Sequence, residues 1–168
     1  PQKDMYRAKK ANYWGFIDSL NNIIIPFIFD ECGHFYDNDL APAKKVRWGL
    51  INRKGNFVIQ PKYDDMFTFQ KGVLRVKQNN KVGFLNEKGE IFIPIIYDDA
   101  DAYYRDEVLR VKLGNKYAIL DKRGKQLCSF KYDAMGKFRY NCTLVKINNS
   151  MGVIEDRKST RLNSSHQI

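Results

Sequence analysis

The sequence predicts an all-β protein, built as a tandem array of three-stranded antiparallel meanders, and three observations carry that expectation. One phrase is written repeatedly. WGLINRKGNFVIQPKYDD, residues 48–65, recurs as WGFIDSLNNIIIPFIFDE from Trp14, as VGFLNEKGEIFIPIIYDD from Val82 and as YAILDKRGKQLCSFKYDA from Tyr117, and MGVIED at Met151 opens a fifth copy. The starts stand 34 or 35 residues apart, the regular period of stacked supersecondary units. Within each copy, short runs of β-branched and aromatic residues are bounded by Gly, Asn and Asp turn signals. A last run alternates apolar and polar residues, the period of a half-buried strand.

Each copy opens on a short strand, Trp48-Gly49-Leu50-Ile51 and its equivalents, in which a large and a small residue come first. Gly beside a ring leaves room for a neighbouring group to approach closely. Ala118 keeps that place small, so packing rather than a special backbone angle is expected to explain it. Trp48 itself is expected to be buried, so that Trp48→Ala costs about 3–5 kcal/mol.

Asn52-Arg53-Lys54-Gly55, Asn86-Glu87-Lys88-Gly89 and Asp121-Lys122-Arg123-Gly124 follow. Asx first and Gly fourth predicts a type I turn closed by a left-handed residue. Asn21 stands in that fourth place in the first copy, and Asn tolerates positive φ. The second strand reads Ile23-Ile24-Ile25, Phe57-Val58-Ile59 and Ile91-Phe92-Ile93. Pro26, Pro61 and Pro94 are expected to make it an edge or to end it, because proline has no N–H for a ladder.

Phe29-Asp30-Glu31, Tyr63-Asp64-Asp65, Tyr97-Asp98-Asp99 and Tyr132-Asp133-Ala134 come next. The ring is expected to anchor the core, and the first Asp to accept backbone N–H bonds and start a turn or short cap. A variable connector follows, with one place always aromatic: Phe35, Phe69, Tyr103 and Phe138. The third strand, as in Val73-Leu74-Arg75-Val76-Lys77, then leads through Asn79-Asn80, Gly114-Asn115 or Asn148-Asn149 into the next copy. Those pairs suit primed two-residue hairpin turns. The structural unit is therefore a meander that straddles the boundary between copies.

These residues resemble the WG-repeat family of bacterial proteins, whose units read Trp-Gly, two apolar residues, an Asx-to-Gly turn, an apolar strand, Pro and Tyr-Asp-Asp. Trp14-Gly15-Phe16-Ile17-Asp18 and Trp48-Gly49-Leu50-Ile51-Asn52 carry the match; Val82, Tyr117, Ala118 and Ser129 depart from it. The resemblance spans residues 5–155 and implies a β-repeat array that is often one part of a longer chain. It carries over no catalytic residue. An open curved array is expected, with a closed propeller-like ring as its rival.

The array is expected to fill residues 1–155, with partial copies at both ends, since residues 5–13 match the tail of a copy. Asp156 to Ile168 fits no place in the pattern and is expected to be a non-native tail derived from a sequencing adapter. Any export signal is expected upstream of Pro1, so the sequence assigns no compartment. With 29 basic and 19 acidic side chains the chain carries a net charge of +10. Such a balance suits nucleic acid or an anionic cell-surface polymer, but a repeated solvated Lys-rich face explains it more simply. No apolar run of about 18 residues is present to span a membrane.

Cys32, Cys128 and Cys142 occupy three different places in the repeat and lack metal-ligand spacing, which leaves them as core fillers. Asp98, Asp99 and Asp101 crowd together without the spaced oxygens and bend of a Ca²⁺ loop. His34 has no counterpart in other copies. No phosphate loop or nucleophile motif appears. Neither a catalytic residue, a cofactor nor a metal is therefore expected, and the chain reads as a non-enzymatic module binding protein or cell-envelope glycan. Tyr36, Tyr103, Tyr104 and Tyr140 are the connector aromatics expected to offer stacking faces. The alternatives are a basic nucleic-acid surface and the targeting arm of an enzyme whose catalytic domain lies elsewhere.

Overall fold

The computed structural model describes residues 4–70, 72–101, 108–140 and 142–155. Among them every regular element is a strand, in small antiparallel sheets none of which closes into a barrel. The chain divides into two compact units, residues 1–79 with 85–90 and residues 80–84 with 91–168. Tyr103, Tyr104 and the tail from Asp156 lie outside the described residues.

In the first unit, β1 (Tyr6–Lys10), β2 (Tyr13–Ile17) and β3 (Ile23–Phe29) form one meander, with Lys9 opposite Trp14 and Phe16 opposite Ile25. β4 (Glu31–Cys32), β5 (Leu40–Lys45), β6 (Arg47–Asn52) and β7 (Phe57–Tyr63) form the next, in that order across the sheet. β8 (Asp65–Gln70) then pairs with β9 (Val73–Gln78). The meanders straddle the copies as the sequence predicts, because each tight turn joins the last strand of one copy to the first of the next.

The division of the chain falls within β10 (Lys81–Asn86), and β11 (Ile91–Tyr97) belongs to the second unit. There β12 (Asp99–Ala100), β13 (Val108–Leu113) and β14 (Lys116–Asp121) form one sheet, and β15 (Ala134–Met135), β16 (Cys142–Ile147) and β17 (Ser150–Glu155) form another. Between β14 and β15 the fourth copy makes only isolated bridges, Leu120 to Gln126 and Tyr117 to Tyr132.

Of the two readings of the prolines, the edge holds and the strand end does not: β3, β7 and β11 run through Pro26, Pro61 and Pro94 to the aromatic residue. β3 and β7 are outer strands that shift register against their neighbours, so their prolines need not donate to a ladder. The connectors, moreover, do not begin as loops. β4, β8, β12 and β15 each pair with the third strand of their own copy.

The Asp that precedes each of these added strands ties it to the third strand and to the tight turn that follows. The backbone N–H groups of Asp30, Asp64, Asp98 and Asp133 donate to the carbonyls of Lys44, Lys77, Lys112 and Lys146. Their Oδ2 atoms accept the N–H of Val46, Asn79, Gly114 and Asn148, each in the tight turn that follows. The expected local turn or cap is thus replaced by a clamp across the sheet onto a turn 15 or 16 residues later. Asn79, Asn80, Asn148 and Asn149 have positive φ, as primed turns require.

The longer hairpins follow the prediction in all four copies. Oδ1 of Asp18, Asn52, Asn86 and Asp121 accepts the N–H groups two and four residues on. Asn21, Gly55, Gly89 and Gly124 close the turn at φ between 64° and 82°. Each of these Gly turns rests on the preceding copy: Gly55 lies against Ile25, Gly89 against Ile59 and Leu50, and Gly124 against Ile93. That contact explains why the turn is so constant in sequence.

Apolar side chains close the cores. Phe16, Ile25, Phe29, Cys32, Ala41, Ala43 and Ile51 form one cluster in the first unit, and Val108, Ile119, Tyr132, Met135, Phe138, Val145 and Ile154 form one in the second. Phe29, Tyr63, Tyr97 and Tyr132 are all buried, as the core-anchor reading expects. Trp48 is not: it is half-buried at the sheet margin, with the Lys44 ammonium 5.7 Å from its ring centre.

Candidate functional site

Most residues that recur in every copy are occupied by turns, clamps and cores, which leaves the connectors to shape a site. One such place is in the first unit. The segment between β4 and β5 contributes Phe35, Tyr36, Asp37 and Asn38 to a cleft of about 450 Å³. Phe69 from β8 and Gly72 from the β8–β9 turn line it as well, and Glu87 completes it from the hairpin after β10.

Packing fixes the aromatic floor. Phe35 meets Phe16 of the core at 4.8 Å between ring centres, and its ring carries the Arg53 guanidinium 5.1 Å away. Tyr36 and Phe69 meet edge to face at 5.0 Å, a favoured aromatic geometry. The Tyr36 hydroxyl oxygen is buried and makes no well-formed hydrogen bond. Burial pushes its ionisation up, an effect partly offset by the nearby Phe69 backbone.

The polar rim is tied down on one side only. Asn38 Nδ2 donates to the Glu87 carbonyl at 2.6 Å, and Asn38 Oδ1 accepts the Leu40 N–H. Arg53 Nε donates to Asp39 Oδ1, also at 2.6 Å. Asp37 and Glu87 are exposed, and among the described residues neither has a cationic partner. A Glu87 carboxylate oxygen lies 3.5 Å from where a side chain on Gly72 would begin.

Other sequence candidates are placed elsewhere. Asp98 accepts from Lys81 and the Gly114 N–H, which hold its carboxyl below the usual range, and Asp101 is buried against Arg110 at 2.9 Å. The three aspartates thus serve separate contacts. His34 is exposed outside the cleft lining. Cys32 is buried, and burial raises its thiol to about 11 despite nearby Arg7. Cys128 and Cys142 are half-buried and free. Tyr140 is almost fully exposed and is not among the residues that line the cleft.

Sequence reading singled out Phe35, Phe69 and Tyr36 but missed Asp37, Asn38, Gly72 and Glu87. For Glu87 a signal existed. The second place of the recurrent turn reads Ser19, Arg53, Glu87 and Lys122, and Glu87 is its sole acid.

The sequence pattern described as the WG containing repeat matches residues 14–45, 48–81, 83–117 and 119–150. No curated protein matches the chain. Among solved structures it is similar to one titled "Crystal structure of the eukaryotic initiation factor", with a TM-score of 0.55 and 8% identity over 98% of this chain and 52% of the other. It is also similar to Kluyveromyces lactis Hsv2, with a TM-score of 0.45 and 8% identity over 79% and 47%. The chain spans about half the length of each, and the first likeness is one of fold alone.

Proposed function

The chain belongs to the WG containing repeat family, and from that premise we propose that it is a non-enzymatic repeat module that binds a partner, a protein or cell-surface polymer, through its variable connectors. The observation that carries this reading is the cleft at residues 35–38. Phe35 and Phe69 of its floor stand at the constant aromatic place, but Tyr36, Asp37, Asn38 and Glu87 come from places that differ between copies. Repeat arrays separate stability from recognition in this way. The nucleic-acid alternative draws support from lysines beside aromatic rings, Lys9 at Trp14, Lys44 at Trp48 and Lys112 at Tyr117. Against it, Lys44, Arg47, Arg53, Lys81, Arg110 and Lys116 are each spent on an acidic side chain of the same chain.

The test is amide chemical-shift mapping of the whole chain against envelope glycan fragments, peptides and single-stranded oligonucleotides. Shifts centred on residues 35–38, 69, 72 and 87 are expected for a peptide or glycan. Shifts that follow Lys9, Lys44 and Lys112 and vanish with salt would favour nucleic acid instead. Turnover of any of these ligands would remove the non-enzymatic part of the reading.

A further inference from the structure

We infer that the ligand group seated in the cleft is an organic cation, a guanidinium or ammonium, and this rests on the binding-module reading above. The charged groups decide it. Asn38 Nδ2 gives one N–H to the Glu87 carbonyl, and Arg53 Nε donates to Asp39 while its guanidinium rests on the Phe35 ring. The Asp37 and Glu87 carboxylates line the cleft and have no cationic partner among the described residues. Carboxylates only accept, and guanidinium and ammonium groups only donate and carry the opposite charge, so they match this pair more closely than a neutral sugar hydroxyl does.

Charge and shape agree with that match. The chain carries +10 overall, yet among the described residues neither of the two carboxylates that line this cleft has a cationic partner. The rings of Tyr36 and Phe69 add quadrupole attraction for a cation within about 6 Å, as Phe35 already does for Arg53. The cation can arrive as a Lys or Arg side chain of a partner or as a free amine, since either presents the same head.

The experiment titrates the full chain with Nα-acetyl-arginine amide, its uncharged citrulline counterpart, a short peptide with one central Arg, and agmatine. Arginine amide is expected to shift the amides of residues 35–38, 72 and 87 and to bind about tenfold more tightly than citrulline, the worth of one charge-assisted hydrogen bond. Glu87→Gln is expected to remove that advantage. Asp37→Asn is expected to weaken binding several-fold while leaving the unfolding midpoint unchanged, because that carboxylate is exposed on the cleft. Peptide binding tighter than agmatine points to a partner's side chain, and the reverse points to a free amine. Equal affinity for arginine and citrulline, or an unaffected Glu87→Gln, overturns the cation assignment. If a neutral chito-oligosaccharide then shifts the same amides, the binding module stands without it; silence toward every probe removes both.

Discussion

The second and fourth copies use the same opening strand in different surroundings. In the second, β6 pairs with β7, and Gly49 sits beneath the Ile59 carbonyl and the Pro61 nitrogen, where a methyl group has no room. In the fourth, the run Lys125 to Lys131 lacks both the proline and the β-branched stretch, and no second ladder forms. Leu127 makes a single N–H bond to Ile119, and Ala118 is fully buried without conflict. Gly49 has no positive φ, so its freedom of backbone angle is not what the position needs. The glycine of the motif serves the strand beside it, and where that strand is lost a methyl is admitted.

Exchanging the two residues tests this directly. Gly49→Ala forces a methyl against backbone atoms that cannot swing aside, and is expected to cost about 3 kcal/mol, the upper part of the overpacking range. Ala118→Gly is expected to cost about 1 kcal/mol, from strand entropy and one lost methyl. Urea unfolding of both variants measures the difference. Equal losses would mean that the second strand does not set the requirement.

The aromatic that opens each strand sharpens the same comparison. Trp48 faces Tyr63 across a real ladder and Tyr117 faces Tyr132 across one bridge. Because Trp48 is only half-buried, Trp48→Ala is expected to cost about 1–2 kcal/mol rather than the 3–5 of a fully buried ring. A loss above 3 kcal/mol in thermal or urea unfolding would restore the buried-core reading.

Much of this was legible in the sequence because period, turn chemistry and strand alternation are local. The Asx and Gly of Asn52-Arg53-Lys54-Gly55 announce a turn whose bonds all close within five residues. The clamp of Asp64 was only half legible: its type promised accepted N–H bonds, but its partner Asn79 is distant in sequence. β8 was missed because Asp65 to Gln70 has no clear alternation and is held by that clamp and by pairing with β9. The cleft was least legible. It gathers places from three copies, and a lone acid at Glu87 gains meaning only once Phe35 and Tyr36 are known to lie beside it.

The tight turns also differ between copies. Asn79 and Asn148 adopt positive φ at little cost, but Val46 holds φ of 63° with a branched side chain almost wholly in solvent. Its N–H still serves Asp30. Val46→Gly keeps that bond, relieves the strain and is expected to stabilise by about 1 kcal/mol. A lower unfolding midpoint in the variant would show the turn to be unstrained.

The clamps carry the smallest and most conditional effect. Lys81 and the Gly114 N–H hold the Asp98 carboxyl below its ordinary value, and Lys116 and the Asn148 N–H do the same for Asp133. A folded-state pKa below the unfolded one means a contribution that is whole above the unfolded value and is lost as pH falls through the folded one. The unfolding midpoint is therefore expected to drop on acidification below about pH 4, where aspartates titrate. In Asp98→Asn that drop should be shallower, since the group no longer titrates, and Lys81→Gln should likewise flatten it by removing the largest cause of the shift. Both ion pairs are exposed and screened by salt, so the difference should shrink as ionic strength rises. Acid melting curves of either variant parallel to those of the parent chain would show that the clamp works through its backbone bonds alone, with the lysine a bystander.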